Sequence, residues 1–256
     1  MNSLSRIDGL VDATARVDPR AEVARDVVVG PYAIVEAGVI LGPGCVVHAH
    51  AMVRGATVLG AGNVVHPFAV VGGEAQAKHH TGGPGRLEIG EGNVFREHAT
   101  VHGGTDGRTT RIGARNLFMV GSHAAHDVTV GSDCVFANGT QLAGHATIAD
   151  WVTFGGLSGV AQHVHVGESA FVAAAAACER DVPPFVVVQG DRARVRGLNV
   201  VGLRRRGLPA ASIAALRSAV RKLWMSETPR VEAMRALATS DDPYVRALLA
   251  ALAVAF

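Results

Sequence analysis

The stretch GSHAAHD (121–127) places His123, His126 and Asp127 within five residues of one another. Imidazole is the side chain best matched to proton transfer near neutral pH, and a carboxylate beside it can fix its tautomer. Such a pair suits a general base that removes a proton from an attacking hydroxyl or amine. Gly144 and Gln162 follow His126 at intervals of 18 residues, and His145 and His163 follow Asp127 at the same interval. These residues meet only if the chain returns on itself every 18 residues. Of the other histidines, His48, His50, His66, His98 and His102 read as surface or corner residues without chemistry.

The chain does carry such a period. Stepping by six from Val11 gives Val17, Val23, Val29, Val35, Leu41, Val47, Val53, Leu59, Val65 and Val71, all apolar. A second run is Ile89, Phe95 and Val101, and a third steps from Ile112 through Phe118, Ala124, Val130, Phe136, Leu142, Ile148, Phe154, Val160, Val166 and Val172 to Cys178. Glycine often follows the apolar position, as at Gly30, Gly60, Gly72 and Gly90, and reads as a turn residue with positive φ. The period describes a short strand and a tight corner every six residues. Three such units make one triangular coil whose aliphatic residues fill a prism. On an 18-residue coil, His126, Gly144 and Gln162 form one column. Asp127, His145 and His163 form the next, and His123 stands at the neighbouring corner.

Two interruptions, 73–88 and 103–111, break the period after Val71 and Val101. Counted three units to a coil, both leave from the face that carries the Ala124 unit, and long loops on a rigid scaffold tend to be functional. The repeat stops near Pro183 and Pro184. From about Pro209 the apolar residues Ile213, Leu216, Val220, Leu223 and Trp224 take helical spacing, and 229–238 and 243–255 also read as helices. The expected organisation is a repeat domain over 1–190 and a helical domain over 191–256. Charge divides with it, at −5 for the first part and +7 for the second.

The overall charge of +2 excludes a dominant polyanion-binding role, so no nucleic-acid partner is expected. An apolar fraction of 48% excludes disorder. Cys45, Cys134 and Cys178 are too few and too scattered for a disulfide framework, which points to a reducing compartment. The N-terminus shows no apolar leader and no stretch reaches membrane-spanning length, so a cytoplasmic protein without stable membrane insertion is expected.

The segments NLFMVGSHAAHDVTVG (116–131), FANGTQLAGHATIAD (136–150), FGGLSGVAQ (154–162), RDVPPFVVVQGD (180–191) and GLNVVGLRRRGL (197–208) resemble the UDP-N-acetylglucosamine acyltransferases that begin lipid A biosynthesis. These belong to the hexapeptide-repeat acyltransferases, and the likeness covers essentially the whole chain. It implies a mainly β fold, a left-handed parallel β-helix of hexapeptide repeats with a C-terminal α-helical domain. The handedness comes from the family, since a period alone does not give it. The implied reaction moves a 3-hydroxyacyl group from acyl carrier protein to the 3-position of a UDP-sugar, with no cofactor and no metal, in a homotrimer whose sites lie between neighbouring prisms.

The resemblance assigns His126 as the base, Asp127 as its support and the Gly144 N–H as the oxyanion donor. His123, His145, Gln162, Gln76, Lys78, His79, Asn199, Arg205 and Arg206 match substrate-contacting positions. Ala174 and Arg192 match the acyl-chain ruler, and their sizes imply an intermediate or short chain. The +7 tail implies an electrostatic contact with the acidic carrier. The chain departs from the family at Ala77, Ala161 and Val201, all on the sugar-nucleotide side. An N-acyltransferase acting on a 3-amino sugar nucleotide, and a binding homologue without turnover, therefore stay open. A zinc carbonic anhydrase of the same repeat class is a further alternative, which metal analysis would separate.

Overall fold

In the computed structural model, residues 11–81 and 85–254 are described. The start of the chain, read above for a leader, thus falls largely outside them. The repeat folds as expected into a left-handed parallel β-helix, with three sheets of nine, eight and ten short strands. Strands stack at the 18-residue interval, as in Val135↔Thr153↔Phe171. Where the insertions intervene the spacing widens; the register holds in the series Met52↔Val70↔Thr100↔His123 and shifts between Val71 and Gly73, where Gly73 comes to face His102. Most strands are two residues long, one side chain facing in and one out, so the hexad residue of each unit is buried. Inside the prism Phe95, Phe118, Phe136 and Phe154 stack with centroids 5.1, 4.4 and 5.3 Å apart.

The glycines that follow the hexad residues have a different reason from the one expected. Of Gly30, Gly60, Gly72 and Gly90, only Gly72 has a positive φ. The others sit where stacked coils touch. A Cβ on Gly60 would lie 2.9 Å from the carbonyl carbon of Gly90, closer than real Cβ contacts come. The left-handed residues stand two positions further on and are mostly not glycine. Asp127, His145 and His163 are among them, with φ of 61°, 63° and 63°. Asp, Asn and His tolerate this region better than most residues, which suits a corner that carries functional side chains.

Both insertions run from the nine-stranded to the eight-stranded sheet, as the coil count required. They are shorter than expected. The bordering strands lengthen to Val70–Gly73, Arg86–Ile89 and Thr109–Ile112, which leaves loops of 74–85 and 103–108.

The expected boundary at 190 cuts through a hairpin. Arg194–Leu198 pairs antiparallel with Val186–Gln189 and adds a strand to the ten-stranded sheet. This strand alternates with a period of two, so the six-residue count cannot find it. The helical part comprises α1 (Val200–Arg205), α2 (Ala210–Trp224), α3 (Arg230–Leu237) and α4 (Pro243–Val254). It begins before Pro209 because α1 is only six residues long and buries Leu203 alone, too little to show a helical period. In α2 the expected Ile213, Leu216, Val220 and Leu223 face the core. Among the described residues no helix is long and apolar enough to cross a membrane.

Candidate active site

The edge between the nine- and eight-stranded sheets gathers the histidines. His126 is buried, and its Nδ1 lies 2.8 Å from Asp127 Oδ2. With Nδ1–H donated to the carboxylate, Nε2 keeps its lone pair, the state a general base needs. Gly144 lies in the same column, so close that a Cβ there would sit 2.6 Å from His126 Cε1 and 2.8 Å from Nε2. Among the described residues the Gly144 N–H has no acceptor. His145 meets the His126 ring edge-on at 5.2 Å and stacks on His163 at 4.6 Å. Gln162 is exposed on the coil beyond Gly144.

Asp127 is held from several sides. Its Oδ1 accepts the Thr105 N–H at 3.0 Å, and its Oδ2 accepts the Thr105 hydroxyl at 2.8 Å. Its own N–H donates to the buried Thr110 hydroxyl at 2.8 Å. Burial pushes the Asp127 carboxyl up, but the hydrogen bonds from His126 and Thr105 outweigh it and hold the group below the usual carboxylate range. His145 stands 3.6 Å from the same oxygen.

His102 corrects the sequence reading. Read as a corner residue without chemistry, it is buried and packs edge-on against His123 at 4.9 Å. Burial, with His123 and His126 adding to it, pushes its pKa down to about 4. Burial also lowers His123, whose Nδ1 shares a 2.8 Å hydrogen bond with the Thr100 hydroxyl. His102 and His123 are therefore neutral at pH 7, polar but uncharged beside the dyad. His102, Thr100 and Thr105 were not found from sequence. Thr100 and His102 flank the hexad residue Val101, but the insertion sets them 23 and 21 residues before His123 rather than 18, and Thr105 lies in that insertion.

From His123 a groove of about 390 Å³ runs along the outside of the nine-stranded sheet, past Gln141, Gly159, Ala161 and Ala177 to Glu179. Its floor is low because Gly159, Ala161 and Ala177 carry little or no side chain. Arg192, expected at the ruler, is exposed and pairs with Glu179 at 3.1 Å at the groove's far end. Ala174 is exposed on the edge between the ten- and nine-stranded sheets.

The remaining expected contacts are dispersed. Gln76, Lys78 and His79 lie exposed in the first loop. Asn199 is buried on the edge between the eight- and ten-stranded sheets. Its Oδ1 accepts the Gly202 N–H at 3.1 Å, capping α1, and its Nδ2 donates to the Ser169 carbonyl at 2.9 Å. Arg206 is also engaged, with Glu168 by an ion pair, with Ser169 Oγ at 2.9 Å and over the Trp151 ring at 5.5 Å. Arg205 is exposed. One chain thus carries the expected catalytic, ruler and nucleotide residues on three different edges. Among the described residues, His126, Asp127 and His145 are the group that could hold a metal, with ligand atoms within 4.8 Å of one another. The short His126–Asp127 hydrogen bond already joins two of those three groups.

The chain is similar in sequence and fold to known proteins. Residues 181–254 match the family model for UDP-N-acetylglucosamine O-acyltransferase, domain 2, and residues 20–55 match that for bacterial transferase hexapeptides. An acyl-[acyl-carrier-protein]–UDP-N-acetylglucosamine O-acyltransferase of Stenotrophomonas maltophilia is 42% identical, over 93% of each chain. One of Herminiimonas arsenicoxydans is 37% identical, over 93% of this chain and 94% of its own. The crystal structure of UDP-N-acetylglucosamine O-acyltransferase from Moraxella catarrhalis superimposes with a TM-score of 0.90 at 35% identity, covering 96% of this chain and 97% of that one.

Proposed function

The chain belongs to the UDP-N-acetylglucosamine O-acyltransferase family, and on that premise we propose how its residues carry out acyl transfer. It is an acyl-[acyl-carrier-protein]–UDP-N-acetylglucosamine O-acyltransferase, acting in the first step of lipid A biosynthesis. The observation that carries the mechanism is the His126–Asp127 pair lying directly on Gly144. His126 Nε2 takes the proton of the sugar 3-hydroxyl as that oxygen attacks the thioester carbonyl of a 3-hydroxyacyl donor. The Gly144 N–H stabilises the oxyanion, an interaction of about 3 kcal/mol in other enzymes. On collapse the C–S bond breaks, and the carrier thiolate takes the proton back from His126. Asp127 keeps Nδ1 protonated throughout, so that Nε2 faces the substrate.

His123, His145 and Gln162 line the approach to this centre in the proposal, and Gln76, Lys78 and His79 reach the nucleotide side. The test is turnover of UDP-N-acetylglucosamine with a panel of acyl carrier protein thioesters, with the product examined for a base-labile ester. An ester supports the reading. Activity confined to a 3-amino sugar nucleotide, with a base-stable amide, favours the N-acyltransferase instead.

The dispersal of the site over three edges supports a homotrimer, because residues on separate edges converge only when prisms pack side by side. Asn199, Arg205 and Arg206 would then reach the histidine edge of a neighbour, with Asn199 and Arg206 helping to shape that surface from their places at α1. Mixing inactive His126→Ala subunits with inactive Arg205→Ala subunits is expected to restore part of the activity. The absence of any recovery in reassembled mixtures would contradict a shared site. Exposed Arg204, Arg217, Arg221 and Lys222 offer the acidic carrier a basic surface. The three thiols are buried and unpaired, and a cytoplasmic location is part of the proposal.

The acyl chain would lie in the groove from His123 to Glu179, with Ala174 and the Arg192–Glu179 pair limiting its length. One methylene of fit in such a groove is worth about 1–3 kcal/mol. Ala174→Gly is therefore expected to move the preference of kcat/KM towards longer chains, measured across a ladder of 3-hydroxyacyl donors. An unchanged profile would remove Ala174 as the ruler.

A further inference from the structure

From the second loop, 103–108, Thr105 covers both carboxylate oxygens of Asp127, by the backbone N–H at 3.0 Å and the hydroxyl at 2.8 Å. The oxygen that receives the hydroxyl is the one that receives His126 Nδ1. Asp127 is a short side chain on a left-handed corner residue, with φ of 61°. Its carboxylate still has to be set in rotation and in plane to meet the imidazole. His145, at 3.6 Å, is too far from the same oxygen to fix it.

Asp106, the residue after Thr105, meets the first insertion. His80 reaches across with its side chain only 8% exposed, and its Nδ1 lies 3.3 Å from Asp106 Oδ1, off hydrogen-bonding alignment. The Thr81 hydroxyl donates to the same oxygen at 3.2 Å. The two loop bases are laced by backbone: Gly103 N–H to the Gly73 carbonyl at 2.9 Å, and Gly104 N–H to the Arg86 carbonyl at 3.0 Å. A Cβ on Gly85 would collide with the Gly104 carbonyl of the second loop, and a Cβ on Gly104 with the Arg108 carbonyl of its own loop. The first loop therefore abuts the second, and the second abuts the dyad.

We propose that Thr105 is a positioning residue for the His126–Asp127 dyad, and that the contact of His80 and Thr81 with Asp106 sets Thr105 in place. The inference rests on the role given to His126 above. It explains why an insertion occurs one coil before the dyad. A regular hexad turn would pass the corner without a residue placed to fold back over Asp127.

The substitution Thr105→Val keeps shape and the backbone N–H but removes the hydroxyl. Hydrogen bonds to charged groups are worth enough that its loss lowers kcat by roughly tenfold or more, with KM for the sugar nucleotide little changed. Thr105→Ser restores most of kcat, which a purely steric role for the methyl group would not allow. Asp106→Ala, which leaves Thr105 present, produces a smaller loss of the same kind. In parallel, ¹⁵N NMR of histidine-labelled protein, with the His126 signal assigned by its absence in His126→Ala, reports the imidazole without turnover. Wild type shows a protonated Nδ1 and a bare Nε2, and Thr105→Val shows a mixture of tautomers. Wild-type kcat together with a wild-type His126 signal in Thr105→Val overturns the proposal. A wild-type chain with no turnover but a tautomer shift in Thr105→Val would sink the acyltransfer mechanism while leaving the positioning role standing.

Discussion

Replacing His126 by alanine is expected to lower kcat at least a thousandfold and to leave the fold intact. General-base catalysis contributes about 10²–10⁴ in rate. Here the base is also the group that returns the proton to the leaving thiolate, so both halves of the reaction lose it. The fold should survive because His126 stands at a corner of the prism, outside the stacked aliphatic core, and its polar contact is the Asp127 carboxylate. The coil continues through strands on both sides, His123–Ala124 and Thr129–Val130. Steady-state kinetics with saturating donor and acceptor, beside a thermal melt, makes the comparison. A variant that keeps a tenth of wild-type kcat would show that the proton goes elsewhere.

Gly144→Ala carries the second large effect, for a different reason. A methyl group at this position would sit 2.6 Å from His126 Cε1 and 2.8 Å from Nε2. Either the imidazole rotates off Asp127 or the corner of the coil shifts, and a shift of the corner displaces the Gly144 N–H. Both routes remove catalytic geometry, and loss of one oxyanion donor alone costs about 10²–10³ in kcat. The expected result is a fall of that order, accompanied by a lower melting temperature from overpacking. The cause can be isolated. In the double variant His126→Ala/Gly144→Ala the colliding ring is gone, so the melting temperature should return towards that of His126→Ala while activity stays lost. If Gly144→Ala melts and turns over like wild type, the contact between these two residues has no part in the chemistry.

The legible part of this protein is what a period can carry. The hexad residues from Val29 to Cys178 enter the core where the count places them, and His126, Gly144, Asp127, His145 and His163 meet because each pair is one coil apart. Both insertions leave by the predicted edge for the same arithmetic reason. The charge division was also readable, since it needs only a boundary, although the boundary at 190 falls inside a hairpin whose alternation of two a six-residue count does not detect.

What interrupts the period had to come from the tertiary structure. His102 looked like one more corner histidine. It is buried because its strand is lengthened by the insertion that follows, which turns it against His123. Thr105 lies in a segment with no periodicity, and its hold on Asp127 depends on how far the loop folds back over the corner. The hexad glycines were found at the right positions, but their reason was hidden. Backbone approach between coils is a contact between residues a full turn apart, whereas a positive φ is a property of one residue. A repeating sequence determines by itself which residues share a face and a column, because translation along the prism is the same at every step. Which of them touch, which are buried and which are held rigid is decided by loops and edges, where that translation fails and only packing in three dimensions sets the distances.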